Sequence, residues 1–116
     1  MKVLLDENLD RALRKLLGSH DVFTASYMGW NGIQNGALLR VAEETGIDVL
    51  LTGDQTLAYE QNLAGRRIAI VALSAIKLPI IFESLSRIIA AIDRDEPGSY
   101  QLVECGDFSR KRRSER

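Results

Sequence analysis

Two short segments place acids at the point where an aliphatic run ends. "VLLDENL", residues 3–9, passes from Leu4 and Leu5 straight into Asp6, Glu7 and Asn8. "LLTGD", residues 50–54, passes from Leu50 and Leu51 through Thr52 and Gly53 to Asp54. Converging carboxylates repel unless a cation sits among them, and oxygen-only donor sets suit magnesium or manganese. Such an ion can activate water for in-line attack on a phosphodiester. The plain alternative is that Asn8 and Asp54 cap the helices that follow them. Repulsion between the two acids without metal predicts that Asp54→Asn raises thermal stability in chelator.

These acids need a scaffold that brings them together. "KVLL", residues 2–5, reads as a buried strand, and Leu9, Leu13, Leu16 and Leu17 fall at helical spacing between an Asn8 cap and Gly18. Further strands are expected over 21–25, 47–52 and 66–73, with helices over 36–45 and from Pro79 to about Asp93. A polar helix or turn covers 55–63, and "YQLVEC" (100–105) reads as an edge strand. Near-continuous apolar strands alternating with helices indicate a mainly parallel sheet covered on both faces. The expected fold is a three-layer α/β/α domain with sheet order 2-1-3-4 plus the C-terminal edge strand. Ligand sites in such sheets form beyond the carboxyl ends of the strands. If strands one and three are neighbours, Asp6, Glu7 and Asp54 converge there. Glu43 and Glu44 are assigned to a solvated helix face.

The 116 residues suffice for one domain, set here at residues 1–109, and 46% apolar content suffices for a core. No apolar run approaches a membrane span, and no basic segment followed by an apolar one opens the chain. The single cysteine, Cys105, fits a reducing compartment, so a cytoplasmic location is expected. One Cys and one His argue against a zinc site. His20 precedes a strand at the far end of the sheet and is assigned a structural or surface role. The net charge of −1 hides an asymmetry. Residues 110–116, "RKRRSER", hold five of the fifteen basic residues and one of the sixteen acids, leaving the body at −5. This tail either solubilises the terminus or attracts phosphate without reading sequence.

With its "VLLDENL", "HDV", glycine-flanked loop and "ALLRVAEETGIDVLLTGD", the chain resembles the compact bacterial PIN-like domains, which are related to VapC-type ribonuclease toxins. The resemblance spans residues 2–73 and weakens through the last long helix. It implies a magnesium- or manganese-dependent ribonuclease. Asp6 and Asp54 match the family's metal-holding acids, and Thr52 matches the hydroxyl residue beside the last acid. Glu7 is a further available ligand, and Asn8 matches the asparagine that orients the first turn. The sequence departs from the family at the start of the second helix, where Asn35 replaces an acid. The partners implied are RNA and a small antitoxin protein; a homodimer is compatible with the sequence, and no membrane partner is expected.

Gln55, Tyr59, Gln61 and Asn62 are candidate contacts to RNA bases or sugars, and Arg66 and Arg67 to phosphate. Tyr27 and Trp30 are either stacking platforms or, for Trp30, a cover for the core edge. Two other classes compete with the nuclease. A binding module that kept the fold and lost catalysis is favoured by Asn35. A phosphorelay receiver would use Asp6, Glu7, Asp54 and Ser74. Receivers carry a lysine after the fifth strand, and no lysine lies between Lys77 and Lys111. No fifth parallel strand is expected before the long helix either.

Overall fold

The computed structural model describes residues 1–33, 35–56, 63, 65–94 and 96–105. Strands β1 (Lys2–Leu5), β2 (Asp21–Thr24), β3 (Val49–Thr52), β4 (Ala69–Leu73) and β5 (Tyr100–Val103) form one sheet. Its order is β2-β1-β3-β4-β5, and every neighbouring pair is parallel. Among the described residues the sheet is accompanied by a short 3₁₀ helix (Arg11–Lys15) and four α-helices. These are α1 (Ala25–Met28), α2 (Asn35–Thr45), α3 (Leu78–Phe82) and α4 (Leu85–Asp93). None of them is long and apolar enough to cross a membrane.

The three central strands, β1, β3 and β4, are nearly all apolar because both faces of the sheet are covered there, while the edge strands β2 and β5 carry polar residues. Successive side chains point to opposite sides. Val3, Leu5, Val49, Leu51, Val71 and Leu73 therefore join one core with Leu13, Ile81, Ile88 and Ile92 from the helices on that face and Leu17 from the bend after the 3₁₀ helix. Leu4, Leu50 and Ile70 join a second core with Leu38, Leu39 and Ala42 of α2. Helices on both faces of an all-parallel sheet are compatible with a three-layer α/β/α arrangement.

Several elements differ from their sequence expectation. The first helix is a single 3₁₀ stretch, and Asp10, not Asn8, caps it: Asp10 Oδ1 accepts from the Ala12 N–H at 2.9 Å. Residues 6–9 are committed to a turn in which the Leu9 N–H donates to the Asp6 carbonyl at 3.1 Å. The long helix after Pro79 is broken at Ser84, which is buried and donates its N–H to the Ile81 carbonyl at 2.8 Å. Its own carbonyl accepts from the Ile88 N–H at 3.0 Å, and so starts the next helix. A short helix, α1, occupies the start of the expected glycine-rich loop. Thr24 Oγ1 caps it by accepting from the Tyr27 N–H, and Gly29 closes it at φ 78°, a conformation that favours glycine. The fifth strand runs parallel to β4 after α4, so strand count no longer separates this fold from a receiver.

The fourth strand begins at Ala69 and not at Arg66, and Glu43 supplies the reason. Its carboxylate accepts from the Arg67 N–H at 2.7 Å, the Ile68 N–H at 3.2 Å and Arg66 Nη1 at 2.9 Å. Glu43 is thus no part of a solvated face. Burial pushes its carboxyl up, but the Ile68 and Arg67 N–H groups and the Arg66 guanidinium outweigh burial and hold it below the ordinary glutamate value. Glu44 is exposed, as expected.

Candidate functional site

In this strand order the chain reverses direction between β1 and β3, and crevices for ligands open beyond the strand ends at such a switch point. Leu5 pairs with Leu51 in register, and the Asp6 N–H extends the ladder by donating to the Leu51 carbonyl at 2.9 Å. The residues following these two strands therefore meet. Thr52 is fully buried, and its hydroxyl donates to Asp6 Oδ2 at 2.7 Å while accepting from the Asp54 N–H at 3.0 Å. Asp6, only 8% exposed, also accepts from the Glu7 N–H at 2.8 Å through Oδ1.

Asp54 is partly buried. Its Oδ1 accepts from both the hydroxyl of Thr56 (2.7 Å) and its N–H (2.9 Å). Asn35, the first residue of α2, reaches Asp54 Oδ2 with its amide nitrogen at 3.4 Å. The Thr56 hydroxyl, then its N–H, and more weakly Asn35 hold Asp54 below the ordinary aspartate value against the opposing effect of burial. The anion is therefore favoured in the fold. This reverses the expectation that like-charge repulsion makes Asp54→Asn stabilising.

A depressed carboxyl contributes stability at pH values above its unfolded value and loses it as pH falls through the folded value. Thr56→Val removes the strongest contact to Asp54. Its titration should move up toward the ordinary aspartate value, and the variant should lose stability at neutral pH and show a shallower acid-side decline. Carboxyl carbon NMR across pH 2 to 6, roughly bracketing carboxylate titration, checks this. An unmoved Asp54 titration would sink it.

The other expected site residues fall in different places. Asn8 is at the site but acts as a strap, its Oδ1 accepting from the Gly53 N–H at 3.1 Å. Gly53 is required by close approach, since a Cβ there would collide with the Ile76 side chain. Glu7 is exposed and is taken up by the following loop, its Oε1 accepting from the Gly32 N–H at 2.9 Å. Gln55 is exposed, and its carbonyl accepts from the Tyr100 hydroxyl at 3.3 Å. Arg66 is committed to its ion pair with Glu43, which removes it as a ready phosphate contact. Trp30 is partly buried against the second core, whereas Tyr27 is 80% exposed. Tyr59, Gln61, Asn62 and the basic tail lie outside the described residues. His20 is remote from these residues, with Nε2 2.7 Å from Asp93 Oδ1. The sequence reading missed Thr56, although an Asp followed two residues later by a hydroxyl residue is a recognisable turn signal.

Among the described residues no three His, Cys, Asp or Glu side chains gather into a group able to hold a metal ion. The Thr52 hydroxyl joins the Asp6 carboxylate to the Asp54 backbone N–H, and the Asp54 carboxylate faces the Asn35 amide and Thr56. Asp6 Oδ1, Asp6 Oδ2 and Asp54 Oδ2 each accept one of the bonds described and keep a second lone pair, whereas Asp54 Oδ1 accepts two from Thr56; carboxylate oxygens are the donors a hard divalent cation prefers. The class defined by fold and site is an all-parallel α/β domain with two linked aspartates at its switch point. Comparison with protein-family models, curated proteins and solved structures finds no match to this chain.

Proposed function

We propose that this chain is a divalent-metal-dependent ribonuclease of PIN-like type, acting as the toxin-like component of a pair with a small antitoxin protein. The observation that supports the reading is the Asp6–Thr52–Asp54 connection, in which one buried hydroxyl donates to the Asp6 carboxylate and accepts from the Asp54 backbone N–H, tying together the acid-bearing ends of two adjacent strands. Asp6 and Asp54 would hold magnesium or manganese, which supplies Lewis-acid charge and activates water for attack on phosphorus. Thr52 orients Asp6 and the Asp54 backbone. Asn8 fixes the Gly53 turn that presents Asp54. Thr56 keeps Asp54 ionised. The deciding experiment is incubation of single-stranded RNA with the protein and manganese, with chelator and an Asp6→Asn, Asp54→Asn variant as controls. Metal-dependent cleavage that the variant lacks is expected; no cleavage over a varied RNA panel would overturn the reading.

Asn35 favours a second reading, a PIN-like RNA- or protein-binding module with weakened catalysis, because an amide at this position adds no negative charge. It also gives a direct prediction. Asn35→Asp should tighten manganese binding by roughly tenfold, since one more charge close to a cation is worth a few kcal/mol before screening. Without metal the same change should push Asp54 up through like-charge repulsion. Calorimetric titration with manganese measures the first effect, and unchanged or weaker affinity would count against an ion site beside Asn35. A receiver is disfavoured because Glu104, not lysine, follows β5. Its order 2-1-3-4-5 is shared by receivers and does not discriminate. Phosphorylation of Asp54 by acetyl phosphate would restore that reading.

A further inference from the structure

A groove of about 930 Å³ runs along the outer edge of β2, between the 3₁₀ helix and α1. It is lined by Val22 and Phe23 of β2, by Arg11, Arg14 and Lys15 of the 3₁₀ helix and by Tyr27 of α1. The three cations form no ion pair among the described residues, on a body of net charge −5. The acid in the groove, Asp10, has Oδ1 turned to the Ala12 N–H as a helix cap. Tyr27, 80% exposed, offers a ring to solvent.

The groove also has a direction. Thr24 pairs with Leu5 in register, so the end of β2 lies beside the residue that immediately precedes Asp6. The loop following α1 is tied to the same strand end through the bond from the Gly32 N–H to Glu7. A chain lying in the groove is thus led toward the carboxyl end of β1.

We propose that this groove binds single-stranded RNA, with Arg11, Arg14 and Lys15 contacting successive phosphates and Tyr27 stacking on a base. The inference rests on the ribonuclease reading only for what happens at the groove's end; binding itself does not require catalysis. Clustered cations with an exposed aromatic ring match the general mode of single-strand recognition, a charged track plus a stacking platform. A protein strand added to the open edge of β2 is the competing occupant. The edge is only four residues long, and its flank is charged, both features that oppose strand addition.

The test is fluorescence anisotropy with an end-labelled single-stranded RNA in chelator, over a salt series. The triple variant Arg11→Glu, Arg14→Glu, Lys15→Glu should bind at least about tenfold more weakly, and its log–log salt slope should fall by about 2, near 0.7 per phosphate contact. Tyr27→Ala should lose roughly fivefold or more on RNA and nothing on inorganic polyphosphate, which has no bases to stack. Thermal melts establish that the variants fold, and single Gln substitutions at the three cations replace the triple variant if it does not. Wild-type affinity in these variants, or equal loss of polyphosphate binding on Tyr27→Ala, overturns the proposal. So does tighter binding of a strand-forming acidic peptide than of RNA. Groove-dependent binding without cleavage would sink the ribonuclease and keep the groove. Cleavage with unchanged KM in the triple variant would do the reverse.

Discussion

Asp6→Asn should lower manganese-dependent RNA cleavage by about three orders of magnitude, or about 4 kcal/mol of transition-state stabilisation, while the domain remains folded. The two effects separate because the side chain has two roles. As an anion, Asp6 would balance the charge of a bound cation, and an amide of the same shape cannot. As an acceptor, it takes the Thr52 hydroxyl and the Glu7 N–H. Asparagine keeps one carbonyl oxygen for one of these donors. The Thr52 hydroxyl can rotate to accept from the new amide, so the structural loss should be about 1 kcal/mol. Single-turnover cleavage at saturating manganese measures the first quantity, and a urea melt measures the second. Activity within tenfold of wild type would remove Asp6 from the catalytic site.

Glu43→Ala should destabilise the fold by about 2 to 3 kcal/mol, which lowers the melting temperature by roughly 10 °C for a domain of this size. Deleting the carboxylate strands the Arg67 and Ile68 N–H groups and leaves the Arg66 guanidinium without its anion. The Arg66 and Glu43 side chains are 24% and 15% exposed, so water recovers part of the loss and the figure stays below that of a fully buried pair. Glu43→Gln should fall between wild type and Glu43→Ala because its carbonyl can still accept from the backbone. Glu44→Ala, on the exposed side of the same helix, should stay within about 0.5 kcal/mol. Equal effects at the two positions would show that the Glu43 contacts add nothing to stability. The depressed Glu43 carboxyl adds an acid-side signature: its contribution is full above the unfolded glutamate value and fades as pH falls through the folded one.

Both predictions bear on how function and fold are coupled. The site is built on strand ends and turns, each stabilised by only a few polar contacts. Glu43 works on the opposite side of the problem, fixing the approach to β4 so that β3 keeps a parallel neighbour. A change there should weaken the whole sheet while leaving the Asp6–Thr52–Asp54 connection chemically intact.

The α/β class was legible from the sequence because strands buried on both faces must be apolar at every position, and the runs around Leu4, Leu50 and Ile70 satisfy this. The helices over 36–45 and after Pro79 were legible as segments, and the acids at the strand ends were visible as abrupt changes from aliphatic to polar. What individual polar side chains touch was not legible, because hydrogen-bond partners here lie far apart in the chain. Asn8 has the composition of a cap, yet its partner is Gly53; Glu43 has the composition of a solvated face, yet its partners are residues 66–68. The break at Ser84, a buried residue between two helices, falls within an apolar segment that reads as one continuous helix. The depressed carboxyl of Asp54 depends on how the chain turns back through Thr56. Local pattern determined which segments are strands and helices because burial period is a property of neighbouring residues. Tertiary structure decided which polar groups meet, because that depends on strands and loops brought together from distant parts of the chain.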